Sequence, residues 1–458
     1  MTARHRFSVA IAALSACLTG CKSSSTVTAN AADTTPPSAV WLQADVPGRP
    51  LANVVLGEGP HAAGLTATDQ AQITTRADDP DGGLRALRLM VRYRRPRLGS
   101  AIQSSFQQVA ATISPASPGQ QASPSARVSW TLQAANLAGG GWDGGAELMA
   151  EAENFAGQIS RSPVLSLCID KAKIRVRAVP LSDDDGGHAP QVTPIQFTDA
   201  LERANRAFCG TGIQFQFDAT NDWAPLKSTS MNRDQTIRAD GNAMASSFPK
   251  RLLVLLRWGP DASVTGNGNA YPPPGLATPP LNVSDVDQRY VALPSLYPTS
   301  GFSFLTLQNG SFMAHELGHY LGLYHTFPGW DGLSPVFPSK PASGQQADQA
   351  VVGYVRANGG TTDALDGDGL QDTPPDPGTT LFSARGQQPC INPAITVHGN
   401  VNGQPFTYTF MPDIANAMSY YDVCDQTTDP RPRDFSPAQV VRMQMALAQS
   451  PRSALLIP

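Results

Sequence analysis

His315, Glu316, His319, Gly322 and His325 stand in the pattern H-E-x-x-H-x-x-G-x-x-H. Histidines four apart on a helix project from one face, one turn apart, so both imidazoles can meet the same ion. Glu316 stands beside them, in reach of a water held on that ion. Gly322 lets the chain leave the helix through a left-handed conformation that a β-carbon disfavours. The bend that follows brings in His325 as a third nitrogen. Three neutral imidazoles with one open position make the ligand set of a hydrolytic Zn2+ site. Such an ion lowers the pKa of its water to about 7 and polarises a carbonyl. Glu316 then serves as general base, and no Ser or Cys nucleophile is needed. A bare H-E-x-x-H is a modest signal. The added glycine and third histidine, in a chain with 7 His, make chance a poor explanation. The bland readings are a His-bearing amphipathic helix and a degenerate, inactive metal site.

These residues need a frame around them. The chain has 458 residues, enough for two or three domains. Its net charge of −4 argues against a nucleic-acid binder, which needs a basic face. Charged residues are 15% of the chain, against about 25% in an average protein, and Gly and Pro number 40 each. Such a composition suits short strands and long ordered loops. Residues 40–167 read as an all-β sandwich. Leu87, Leu89, Val91 and Tyr93 alternate with Arg88, Met90 and Arg92; Val128, Trp130 and Leu132 alternate as well, as do Leu148, Ala150 and Ala152. From Cys168 onward the order becomes strand, helix, strand, strand, which is α/β. Ile174 to Leu181 alternates. Phe197 to Phe208 reads as a helix, with Thr198 or Asp199 as its N-cap and Gly210 past its end. Ile213, Phe215 and Phe217 alternate again, and Arg251 to Trp258 is a continuous apolar run fit for a buried central strand. Ser436-Pro437-Ala438-Gln439 is a capping box that opens a helix carrying Val440, Met443 and Leu447 on one face.

The N-terminus states a destination. Arg4 and Arg6 precede the apolar run Ser8 to Leu18, which is too short for a membrane span and fits a signal segment over residues 1–20. Leu18-Thr19-Gly20-Cys21 resembles the bacterial lipobox, which implies a lipid anchor on Cys21 and an exported lipoprotein. Lys22 at the next position leans towards the outer membrane or cell surface. Residues 21–39 are rich in Ser, Thr, Ala and Pro and read as a tether. Cys17 leaves with the signal. Cys168, Cys209, Cys390 and Cys424 remain, and four cysteines allow three disulfide connectivities in an oxidising compartment. Asp363, Asp366, Asp368 and Asp372 lie in one Gly-rich loop. Hard oxygens at that spacing suit Ca2+, and an acidic solvated turn is the bland reading.

At this point a resemblance becomes specific. The extended histidine motif is similar to that of the metzincin metallopeptidases, whose second mark is a Met-containing turn. Asn416-Ala417-Met418-Ser419-Tyr420 fits that turn, and the resemblance implies Met418 as the floor of the site and Tyr420 as a residue that stabilises the tetrahedral intermediate. Thr326 after the third His, the stretches Gly322–Phe327 and Gly367–Pro374, and Phe435 to Gln439 with Arg442-Met443 all resemble the pappalysin family. Ala417 and the long segment 326–362 depart from that family's pattern. The likeness covers roughly residues 170–450. It implies, over 168–458, an α/β metzincin-type catalytic domain: a twisted mixed sheet, an active-site helix and a C-terminal helical subdomain. The 40–167 sandwich is similar to bacterial immunoglobulin-like modules. The resemblance further implies a Cys390–Cys424 bridge, which leaves Cys168–Cys209 as the other pair, and a calcium ion near the site. It makes Arg289 to Leu293 a candidate edge strand for extended substrate. The expected activity is zinc-dependent endopeptidase action on protein or peptide substrates outside the cytoplasm. An inactive, metallopeptidase-like adhesion or binding lipoprotein is the alternative from another class.

Overall fold

The computed structural model describes residues 26–44, 54–56, 70–93, 106–133, 145–190, 192–209, 211–233, 238–258, 270, 288–294, 311–328, 335–390, 392–421, 434–449 and 452–457. The signal segment 1–20, Cys21, Cys424 and the side chain of Cys168 lie outside them. The chain divides into two compact units, Met1–Ala172 with Cys209–Ile213, and Lys173–Phe208 with Gln214–Pro458. The division falls inside the strand Leu165–Ser182, a few residues beyond the boundary that composition suggests.

In the first unit Gln70–Asp78 pairs antiparallel with Ser38–Ala44 on one side and Ser125–Gln133 on the other. Leu84–Tyr93 pairs antiparallel with Gln107–Ile113 and Gly145–Asn154 in a second sheet. Period-2 alternation gives each sheet one apolar face. The two faces meet in one core: Leu42, Ile73, Val128, Trp130 and Leu132 from one sheet, Leu87, Leu89, Val91, Leu148, Ala150 and Ala152 from the other. Trp130 keeps its indole N–H satisfied there by donating to Thr75 Oγ1 at 2.8 Å. On the far face of the second sheet Arg88 pairs with Glu151 and Glu153, and Arg85 with Glu153.

The supposed tether is shorter than its composition suggests. Val27–Thr28 pairs with Gln121–Ala122. Ala29 is buried against Ala122 and Phe155. Asn154 Nδ2 donates to Asp33 Oδ2 and to the Thr35 carbonyl. The segment is held by backbone pairing, by the small buried Ala29 and by polar side chains rather than by large apolar residues.

In the second unit Leu252–Arg257 is buried along its whole length and lies between Leu165–Ser182 and Tyr290–Pro294, parallel to both. Leu456–Ile457 adds an antiparallel neighbour to Leu165–Ser182, so the unit is mixed α/β. Tyr290–Pro294 is the end strand among the described residues. The helix after the first strand is Pro194–Ala207, earlier than the apolar spacing suggests. Its start is set by Thr193, whose Oγ1 accepts from the Gln196 N–H while Gln196 Oε1 accepts from the Thr193 N–H. Thr-Pro-x-Gln is itself a capping box with Pro at the first helical position. Thr198 instead donates to the Pro194 carbonyl. The motif helix, Ser311–Tyr320, packs against Pro194–Ala207 and Tyr290–Pro294.

Beyond the motif the chain is not purely helical. Helices Gly344–Ala357 and Thr379–Ala384 share a core with the hairpin Ile395–Val401 and Gln404–Phe410, through Val351, Val355, Phe382, Val397 and Phe410. The hairpin turns at Asn402-Gly403, both at positive φ (54° and 84°), as a tight two-residue connection between twisted strands requires. Pro437–Ala448 begins at the expected capping box.

Leu89 is fully buried in the first unit's core. Leu89→Ala is expected to cost about 2–5 kcal/mol, read as a lower denaturant midpoint for that unit's unfolding transition.

Candidate metal centre

Sequence alone shapes the end of the motif helix. Gly322 sits at φ 96°. The Leu323 N–H donates to the Gly318 carbonyl at 3.0 Å and the Gly322 N–H to the His319 carbonyl at 2.9 Å. This is the Schellman pattern, which only a residue free to adopt positive φ closes cheaply. It turns the chain so that His325 faces back towards His315 and His319.

The three Nε2 atoms then lie 3.0 Å (His315–His319), 3.0 Å (His319–His325) and 3.1 Å (His315–His325) apart. Two of the rings are held from behind. His315 Nδ1 is 2.8 Å from the Ala417 carbonyl, and His319 Nδ1 is 2.8 Å from the Leu323 carbonyl. A carbonyl only accepts, so each Nδ1 carries the proton and each Nε2 presents a lone pair. Protonating the ring instead is unfavourable: burial, then the neighbouring His315 and His325, hold His319 well below the ordinary histidine range. The His315 and His319 lone pairs thus meet at 3.0 Å, an arrangement that a shared cation satisfies. This donor set fits a divalent ion with nitrogen affinity such as Zn2+. Among the described residues these three are the one group of His, Cys, Asp or Glu side chains whose ligand atoms gather in this way.

Glu316 is 5% exposed, and burial pushes its carboxyl group up to about 8, opposed by a hydrogen bond from the backbone of Ala270. A cation beside it would favour the carboxylate. The Tyr420 ring lies 4.8 Å from that of His325, 5.4 Å from that of His315 and 4.6 Å from that of Phe327. Met418 is fully buried, and a β-carbon on Gly318 would fall 2.5 Å from its sulfur. The methionine thus packs against the motif helix between the two histidines of its first turn pair.

Several bracing residues carry no signature in the motif. Arg442 Nε donates to the Gly322 carbonyl at 2.6 Å, and Arg452 Nε to the Tyr320 carbonyl at 2.7 Å. Two cationic groups therefore close the negative end of the motif helix. Gln439, the last residue of the capping box, is fully buried. Its Oε1 accepts from Asn416 Nδ2, and its Nε2 donates to Asp368 Oδ2 at 3.0 Å. One side chain thus joins the last helix, the methionine turn and the acidic loop.

The aspartates of that loop are occupied by the protein itself. Asp372 accepts from Ser436 Oγ at 2.7 Å and from the Ala438 N–H at 2.8 Å. Asp368 accepts from Thr373 Oγ1 and the Leu370 N–H, and burial raises it to about 7. Asp366 accepts from the N–H groups of Asp368 and Gly369. Among the described residues, no three of these carboxylates gather their oxygens at one point, although the Asp366 and Asp368 side chains are in hydrogen-bond contact. What the loop does is press on the third ligand: a β-carbon on Gly367 would lie 2.1 Å from the Phe327 carbonyl oxygen and 2.6 Å from that of His325. Glycines at 318 and 367 were legible only as letters in a motif; their reason is contact. Cys209 and Cys390 are disulfide-bonded, while the partners expected for them, Cys168 and Cys424, fall where no side chain is described.

No family model matches the chain, and no curated protein matches it. One solved structure it is similar to is the sporulation control protein Spo0M from Bacillus subtilis, at 10% identity and a TM-score of 0.15 over 36% of this chain. The match spans 55% of that protein, and at this TM-score it carries no argument.

A β-carbon at 367 meets rigid backbone, whereas one at 318 meets the end of a flexible methionine. Gly367→Ala is therefore expected to lower the melting temperature of the second unit more than Gly318→Ala does, as calorimetry of the two variants would show.

Proposed function

We propose that the chain is a zinc-dependent endopeptidase that hydrolyses peptide bonds of proteins outside the cytoplasm. The observation that carries this reading is the convergence of three Nε2 atoms within 3.1 Å, with the Glu316 carboxyl group buried next to them in sequence. His315, His319 and His325 would hold the ion. Zn2+, when bound, supplies Lewis acidity towards water and the scissile carbonyl. Glu316 takes the proton from the attacking water and passes it to the leaving amine. The Ala270 backbone hydrogen bond keeps that carboxylate in one orientation. The Tyr420 ring lies beside His315 and His325, which supports a role for its hydroxyl in stabilising the developing oxyanion.

The resemblance to pappalysins supports this class, through Thr326 after the third histidine and Met418 packed on the motif helix. The same reading makes the 40–167 region an immunoglobulin-like module and pairs Cys390 with Cys424 and Cys168 with Cys209. It places the protein on a bacterial membrane through a lipid on Cys21. No helix among the described residues is long and apolar enough to cross a membrane.

Purified protein is expected to bind zinc in equimolar amount and to cleave casein in a chelator-sensitive way. Glu316→Ala should keep the metal and lose about 10²–10⁴-fold in cleavage rate. Folded protein that takes up no transition metal, or equal behaviour of wild type and Glu316→Ala, would sink the proposal, the second result in favour of a binding protein.

A further inference from the structure

We infer that Asp376 is a positioning residue that sets two walls of the metal centre with one carboxylate, an inference that rests on the proposed peptidase reading. Asp376 is fully buried. Its Oδ2 accepts from Thr326 Oγ1 at 2.8 Å, and its Oδ1 accepts from the Tyr421 hydroxyl at 2.8 Å and from the Gly378 N–H at 2.7 Å. Thr326 directly follows the ligand His325, and Tyr421 directly follows Tyr420. Each oxygen thus governs the backbone beside a different functional side chain.

The two chain segments come from far apart. Thr326 lies 50 residues before Asp376, and Tyr421 lies 45 after it. They are also tied to each other along the backbone, where the Thr326 N–H donates to the Met418 carbonyl at 3.3 Å. The carboxylate itself has little freedom. Gly378 at φ 75° folds the chain back onto Oδ1, and the Asp376 N–H donates to the Leu365 carbonyl. A buried carboxylate costs a great deal to desolvate unless its lone pairs are met. Three donors meet them here, from three separate stretches of chain. A purely structural anchor would need no such bipartite choice of partners. This one reaches the residue after the third ligand and the residue after the tyrosine, and His325 and Tyr420 have rings 4.8 Å apart.

The division of labour gives each bond its own signature. The Thr326 bond orients the third ligand, so its loss should appear in metal affinity. The Tyr421 bond orients Tyr420, so its loss should appear in turnover. Outer partners of metal ligands are typically worth 10–100-fold in affinity or activity.

The test uses full-length protein with wild type, Thr326→Val, Thr326→Ser, Tyr421→Phe and Asp376→Asn. Zinc affinity is read by competition with a chromophoric chelator, kcat and KM on a fluorogenic peptide, and ring geometry by nitrogen-15 spectra of histidine-labelled protein. Thr326→Val should weaken zinc binding about 10–100-fold, and Thr326→Ser should restore it. Tyr421→Phe should lower kcat with KM and zinc affinity near wild type. Asp376→Asn should show both losses. The His325 ring signals should move in Thr326→Val and Asp376→Asn, with those of His315 and His319 unmoved. Variants that lose only melting temperature, with zinc affinity, kcat and His325 signals unchanged, would overturn the inference. A wild type that takes up no zinc would remove the peptidase reading, and the His325 signals would still decide whether Asp376 positions that ring.

Discussion

The second unit brings three imidazole rings to a single point. Three imidazole nitrogens have been brought within 3.1 Å of one another, with two of their rings locked by carbonyls into the tautomer that turns a lone pair inward. Holding three rings at one point takes support from several parts of the chain. The surrounding contacts follow from that requirement. Arginines close the helix end, methionine packs into the space of a missing β-carbon, and an acidic loop presses against the backbone of the third ligand.

How much of this was legible beforehand depends on distance along the chain. The ligand spacing, the glycine exit and the capping box at Ser436 are local, and their physics is contained in a few neighbouring letters. The alternation of Leu87, Leu89 and Val91 is local in the same sense, and those residues do lie together in one buried core. The start of the helix at Pro194 was also local, yet apolar spacing from Phe197 onward outweighed the Thr-Pro-x-Gln signal in front of it. The stretch around Ala29 looked too poor in large side chains to fold; its burial depends on Asn154, which lies more than a hundred residues away.

What sequence could not show was the use of charged groups as internal fasteners. Asp368 and Asp372 sit in a loop whose composition suggests a cation, and Gln439 and Ser436 each donate to one of their oxygens. A carboxylate looks the same in a sequence whether it waits for an ion or for an amide. Only the fold distinguishes the two, because only the fold supplies the donors. Arg442 and Arg452 are likewise almost wholly enclosed, and nothing near them in the sequence marks the carbonyls they reach.

Those two arginines carry a temporal consequence. They reach the carbonyls at the motif helix's end from 120 and 132 residues downstream. A chain made from its amino end would display the histidines long before the groups that complete their support. Contacts of such long reach form late, since closing a large loop precedes any gain from the contact. The closure of the helix end therefore waits on residues made more than a hundred positions later.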